Sequence, residues 1–243
     1  MSPFQKVSSG LDFLDKASNG GIPSADLNVV ATSDDRTGSM VLGHYLKEGL
    51  RAGEKVVLVT FDKASAFFEN FEFGNMEFRK HFEKEDFFFL NYQPAIRQKI
   101  NFVQNYDVLF DEIFRLCNNS TPSRIAFHHV DALLNLSNIQ MGHLTAEKLG
   151  SACKAKLKPE ASLLAQFIRF RDSNHQDLAV ALEKMSGGYF ELLNKLGGDQ
   201  KGLDFKIRKL PWFDFQTERS TVSESTLQYL FGETIRSTPR VIA

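Results

Sequence analysis

Three stretches of this 243-residue chain have residue types and spacings that could do chemistry. The first is Thr32-Ser33-Asp34-Asp35-Arg36-Thr37-Gly38-Ser39, a polar segment between an apolar run and an amphipathic one. A strand-to-helix connection of this kind presents backbone N–H groups and the positive end of a helix, where phosphates bind. Its side chains oppose that use. Asp34 and Asp35 bring two negative charges, and Arg36 offsets part of them. The second is His128-His129, which invites a metal ion. Adjacent residues on a strand point to opposite faces, so the expectation is that they do not share an ion and that no metal is held. The third is Lys206-Ile207-Arg208, where alternation puts two cations on one strand face. Such a pair suits phosphates, or else a solvated edge that deters pairing.

Other groups read more plainly. Asp62 is expected to cap a helix over Ala64–Phe71. Cys117 and Cys153 have neither metal nor redox spacing and are expected to be reduced thiols. A Ser nucleophile elbow and a His-Glu-x-x-His zinc motif are both absent from the sequence.

The elements that must position these groups follow from patterning. Residues 9–15 read as a short helix ended by Asn19-Gly20-Gly21-Ile22-Pro23. Leu27–Ala31 and Lys55–Phe61 are β-branched runs of buried parallel strands. Thr32–Thr37 reads as loop, and Gly38–Arg51 has the 3-to-4 spacing of a helix. A Phe-rich helical stretch to about Glu85 precedes a strand over Phe87–Leu90. Asn105–Cys117 is an amphipathic helix, and Arg124–Val130 a strand. Residues 131–160 are mixed, with Lys154–Pro159 as an exposed basic turn. Ser162–Phe170 reads as helix and Leu178–Leu182 as strand. Tyr189–Leu192 and Leu203–Leu210 make a hairpin around Gly197-Gly198, before a β-like tail from Pro211. The expected fold class is α/β: one domain over residues 1–243, with a mostly parallel central sheet, helices on both faces and a C-terminal antiparallel hairpin.

Composition bounds the function. The chain is 42% hydrophobic and 24% charged, with a formal net charge of -1, so a dedicated nucleic-acid binder is not favoured. The 23 phenylalanines, many within Phe67–Phe89, are read as core rather than as a partner surface. The amino terminus has no secretion pattern and no apolar stretch is long enough to span a bilayer. A cytoplasmic protein without membrane contact is expected.

Ser9-Gly10-Leu11-Asp12, Gly20-Gly21-Ile22-Pro23, Leu46-Lys47-Glu48-Gly49-Leu50-Arg51-Ala52-Gly53-Glu54-Lys55 and Thr60-Phe61-Asp62 stand in the order found in the KaiC-like branch of the RecA superfamily, which this chain resembles over nearly its whole length. The resemblance implies a phosphate loop of the form G-x-x-x-x-G-K-S/T. Laid without gaps, its glycines fall on Thr32 and Thr37, its lysine on Gly38 and its hydroxyl on Ser39; only the last agrees. The strand-end aspartate that holds magnesium in the family falls on His128, with Asp131 too far along to replace it. Of the family's acidic catalytic residues Asp62 remains, beside Lys63. Lys206-x-Arg208 resembles the element that family members extend toward a neighbouring subunit's nucleotide.

These implications lead to a non-catalytic assembly or regulatory subunit, a pseudo-ATPase that uses neither ATP nor magnesium. Its expected partners are further copies of itself or a related ATPase, whose site Lys206 and Arg208 would complete. Two alternatives stand beside it. One is a nucleic-acid-handling accessory subunit, resembling Elongator subunits at Thr37–Leu42 or recombination mediators, with Lys154, Lys156, Lys158, Arg169 and Arg171 on phosphates. The other is an ATPase with an unconventional loop in which Arg36 or Lys63 supplies the charge.

Overall fold

Continuous β-branched and apolar runs with no polar face must be covered on both sides, and the molecule does this with one central sheet. The computed structural model describes residues 5–61, 67–68, 77–92, 106–135, 142–169, 173–194, 202–212 and 219–222. In chain order the elements are β1 (Lys6–Val7), α1 (Asp12–Ala17), β2 (Ile22–Pro23), β3 (Leu27–Thr32), α2 (Asp35–Arg51) and β4 (Val56–Thr60). Then come α3 (Glu77–Glu83), β5 (Phe87–Asn91), α4 (Tyr106–Leu116), β6 (Arg124–His128), α5 (Val130–Asn135) and α6 (Gly142–Lys156). The last are β7 (Ser162–Ile168), α7 (Ser173–Met185), β8 (Gly188–Asn194), β9 (Leu203–Lys209) and β10 (Arg219–Thr221).

The sheet has eight strands in the order β10-β9-β8-β3-β7-β6-β4-β5. Every pair from β8 to β5 is parallel, whereas β8–β9 and β9–β10 are antiparallel. The expected α/β architecture with its antiparallel end is therefore present. Alternate residues of the central strands feed two cores. Leu27, Val29, Val57 and Val59 pack with residues of α4, α5, α6 and α7. Val30, Val56 and Leu58 pack with Leu14 of α1 and with Val41, Leu42, Tyr45 and Leu46 of α2. Gly21 closes the amino-terminal piece. Its φ is +118°, and a Cβ there would lie 2.1 Å from the Val7 carbonyl oxygen, so β1 and β2 approach only around a glycine.

Two elements reverse the sequence expectation. Ser162–Ile168 is a strand, not a helix, and lies between β3 and β6 with all seven residues buried. Residues 178–182 belong to helix α7, not to a strand. There Leu178, Ala179, Ala181 and Leu182 are buried while Val180 is exposed, a helical face that alternation does not describe. Short apolar runs carry no decisive period, and neighbours decide between the two states. The mixed stretch 131–160 resolves into α5 and α6, and Lys154 and Lys156 sit in the last turn of α6 rather than in a turn. The strand expected to reach Val130 ends at His128. Cys117 and Cys153 are buried free thiols, and burial pushes both pKa values up, that of Cys117 to about 11. Asp62, Lys63, Arg171, the Gly197-Gly198 tip, part of the Phe-rich segment and residues 223–243 lie outside the described residues. Among the described residues, no helix is long and apolar enough to cross a membrane.

Candidate functional site

The carboxyl ends of β3, β4, β6 and β7 converge beside the start of α2, the place where open α/β sheets bind ligands. The loop expected over Thr32–Thr37 is not there. β3 ends at Thr32 and α2 begins at Asp35, leaving Ser33 and Asp34 between them. Asp34 is the N-cap: its carboxylate accepts from the Thr37 N–H at 2.7 Å and from the Thr37 hydroxyl at 3.0 Å. Asn194 of β8 donates to the same carboxylate at 3.2 Å. The cap starts the helix three residues before the apolar periodicity does. Arg36 sits exposed in the first turn.

Asp35, next along, turns inward. Its Oδ1 accepts from His129 Nε2 at 2.7 Å, His128 Nε2 at 3.0 Å, Gln166 Nε2 at 3.1 Å and the Ser39 hydroxyl at 3.4 Å. Each donor has its own positioning element. Register pairs Thr60 at the end of β4 with His128 at the end of β6. The Thr60 hydroxyl meets His128 Nδ1 at 3.0 Å and the Ser39 hydroxyl lies 3.2 Å from Nε2. Phe67 packs edge-on to the His128 ring at 5.3 Å. Gln166 comes from the middle of β7, where Gly38 makes room for it. A Cβ on residue 38 would lie 2.3 Å from the Gln166 amide. Position 38 therefore faces the Gln166 side chain at close range.

The two histidines do share a focus, contrary to the expectation from strand alternation. His129 has left the strand with φ +60°, a left-handed conformation uncommon for a residue with a side chain. This swings its ring to 4.3 Å from that of His128, edge to face, so both Nε2 atoms address one oxygen. Asp131, in the first turn of α5, faces His129 from behind: its Oδ1 is 3.6 Å from His129 Nδ1. Asp35, His128 and His129 offer three ligand atoms all within 4.8 Å of one another.

Electrostatics separates the three. Burial alone would raise the Asp35 pKa, but hydrogen bonds from His128 and His129, with their charge, outweigh it and hold the carboxyl below the usual carboxylate range. Burial works against a charge on His129 too, yet Asp131 and Asp35 outweigh it and push its pKa up to about 9. Burial dominates at His128 and lowers its pKa in spite of Asp35. A carboxylate only accepts, so His128 Nε2 and His129 Nε2 both carry hydrogen in this arrangement.

The remaining predicted groups lie apart. On β9, Arg208 is paired with Glu183 at 3.3 Å and lies 3.8 Å from Glu191. Arg169 also pairs with Glu191. Lys156 reaches Asp111 at 3.2 Å and Asp107 at 3.5 Å, and Lys154 lies 3.6 Å from Asp26. Several of the cations offered for nucleic-acid contact thus already face carboxylates of the chain. Gln166 was missed because its segment reads as helix. Its signal was a single amide inside the otherwise apolar run Ser162–Ile168.

A family model described as ATPase: KaiC matches residues 7–212. The chain belongs to the KaiC ATPase family. No curated protein matches it. In this KaiC-family domain the end of β6 carries His128 and the start of α2 carries Asp35.

Proposed function

We propose that this KaiC-family domain does not turn over ATP and acts as an assembly or regulatory subunit. The observation that carries the reading is the Asp35 carboxylate, which receives side-chain donors from His129, His128, Gln166 and Ser39 at the start of α2. A helix N-terminus at a strand end is where a phosphate would sit, and here an anion of the chain itself takes that place. Two unit charges about 4 Å apart at an effective dielectric of about 20 repel by about 4 kcal/mol, nearly a thousandfold in affinity. A two-residue connection offers no wrapping loop, and Gln166 stands against Gly38 where the family's lysine would be. These residues do not fit magnesium and a triphosphate as a phosphate loop holds them, so no hydrolytic step is derived.

The assembly role rests on the retained framework together with that misfit. Within it, Lys206 and Arg208 are the residues that would reach a neighbouring subunit's nucleotide, with Arg208 exchanging Glu183 for phosphate. Titration with ATP and Mg²⁺ is the test. No binding at micromolar concentration and no phosphate release is the expected result, and micromolar affinity with turnover overturns the reading. If hydrolysis is found and Arg36→Ala abolishes it, the unconventional-loop alternative replaces it. Mass in solution, with and without nucleotide, should show an assembly larger than one chain; a monomer at all concentrations removes the assembly role.

A further inference from the structure

We propose that Asp35, His128 and His129 form a binding site for one divalent transition-metal ion of the zinc type. The inference concerns the pocket just described but does not need the nucleotide reading, because it is tested without nucleotide. Two imidazoles and one carboxylate are a donor set that favours zinc, iron or cobalt over magnesium, which prefers oxygen ligands.

The geometry is that of a built site. The strand end delivers His128, the left-handed residue after it delivers His129, and the first residue of α2 delivers Asp35. Bonds of about 2.0–2.1 Å to a tetrahedral ion need donor atoms about 3.3 Å apart. The Asp35 oxygen is 3.0 and 2.7 Å from the two nitrogens, so it need withdraw by only about half an ångström to admit an ion. Behind the ligands stand the groups that orient metal-bound imidazoles. Thr60 Oγ1 lies 3.0 Å from His128 Nδ1, and Asp131 Oδ1 lies 3.6 Å from His129 Nδ1. To bind, His128 changes tautomer, placing its hydrogen on Nδ1 toward Thr60, and His129 releases its Nε2 proton to solvent and keeps the hydrogen that faces Asp131.

An independent feature points to the same place. Gln166 is fully buried, its Nε2 is 3.1 Å from Asp35 Oδ1, and its Oε1 has no hydrogen-bond partner among the described residues. A buried amide oxygen without a partner is costly, and rotation of the amide by half a turn presents that oxygen to an ion as a fourth ligand. Entry is by the carboxylate side: the Asp35 side chain is 28% exposed while the histidines are sealed.

The test uses the full chain, stripped with a chelator and then titrated with Zn²⁺ against a chromophoric competitor. Binding of one equivalent per chain is expected, with Mg²⁺ giving no response. Co²⁺ should give the intense visible absorption of a low-coordinate nitrogen and oxygen site. Asp35→Asn and His129→Gln, each checked for folding by circular dichroism, should weaken Zn²⁺ by about 100-fold or more, and Asp131→Asn by about 10-fold. If either first variant does not fold, the other and the cobalt spectrum of the unaltered chain decide. Failure of the unaltered chain to bind one Zn²⁺, an equal response to Mg²⁺, an octahedral cobalt spectrum, or undiminished Zn²⁺ binding in the folded variants each overturns the site.

Discussion

Strand β6 begins and ends in buried polar clusters of opposite character. At its start Arg124, 2% exposed, donates through Nε to Glu54 at 2.5 Å and through Nη1 to the carbonyls of Ser8 at 2.6 Å and Tyr45 at 3.2 Å. The Tyr45 hydroxyl in turn meets Ser162 at 2.9 Å to its carbonyl and 2.6 Å to its hydroxyl. Among the described residues, Arg124, Tyr45 and Ser162 leave no buried side-chain nitrogen or oxygen without a partner. At the other end, His128 belongs to a cluster in which four side chains address one oxygen of Asp35 while the amide oxygen of Gln166 has no partner among the described residues. The first cluster ties the amino-terminal segment, α2, the turn before β4 and β7 to β6, so it specifies the framework. The second crowds donors onto a single acceptor and leaves another acceptor without a donor, an imbalance that a bound ligand would correct.

This contrast ranks the substitutions. Arg124→Leu should cost the most, about 3 kcal/mol of unfolding free energy by urea denaturation, since it strips donors from two carbonyls and from Glu54. A loss under about 1 kcal/mol would mean that the framework does not depend on this end of β6. Gly38→Ala comes next. Its Cβ meets Gln166 at 2.3 Å, and about 2 kcal/mol of destabilisation is expected. Most of that should return in Gly38→Ala combined with Gln166→Ala; strict additivity in this double-mutant cycle would break the assigned contact. Asp34→Ala removes the cap of α2 and should cost about 1 kcal/mol, with no change in denaturant slope. Lys156→Gln should leave the urea midpoint unchanged within error, because its bridges to Asp107 and Asp111 lie on the surface. A measurable shift there would mean that surface pairing contributes to stability alongside the two buried clusters.

Sequence patterning carried most of the fold. β3, β4, β5, β6, β8 and β9 coincide with apolar or alternating runs, and α2 and α4 with helical spacing. It failed where two short apolar runs, Ser162–Ile168 and Leu178–Leu182, fit either state. Their assignments were exchanged, because only a neighbouring strand or a neighbouring sheet face distinguishes them. Membership of the KaiC family likewise followed from the order of loose motifs, and the match over residues 7–212 agrees with it.

What the residues determined by themselves was the local chemistry of the first connection: two aspartates, no lysine, and glycine only at Gly38 between Thr32 and Ser39. What tertiary structure alone decided was what those residues meet. Asp35 lies 93 and 94 positions from His128 and His129 and 131 from Gln166, distances over which no periodicity carries information. Strand order and register bring the four together, and the left-handed backbone at His129 turns a pair that alternation would separate toward one oxygen. That convergence depends on long-range packing, which is why it is absent from any window of the sequence.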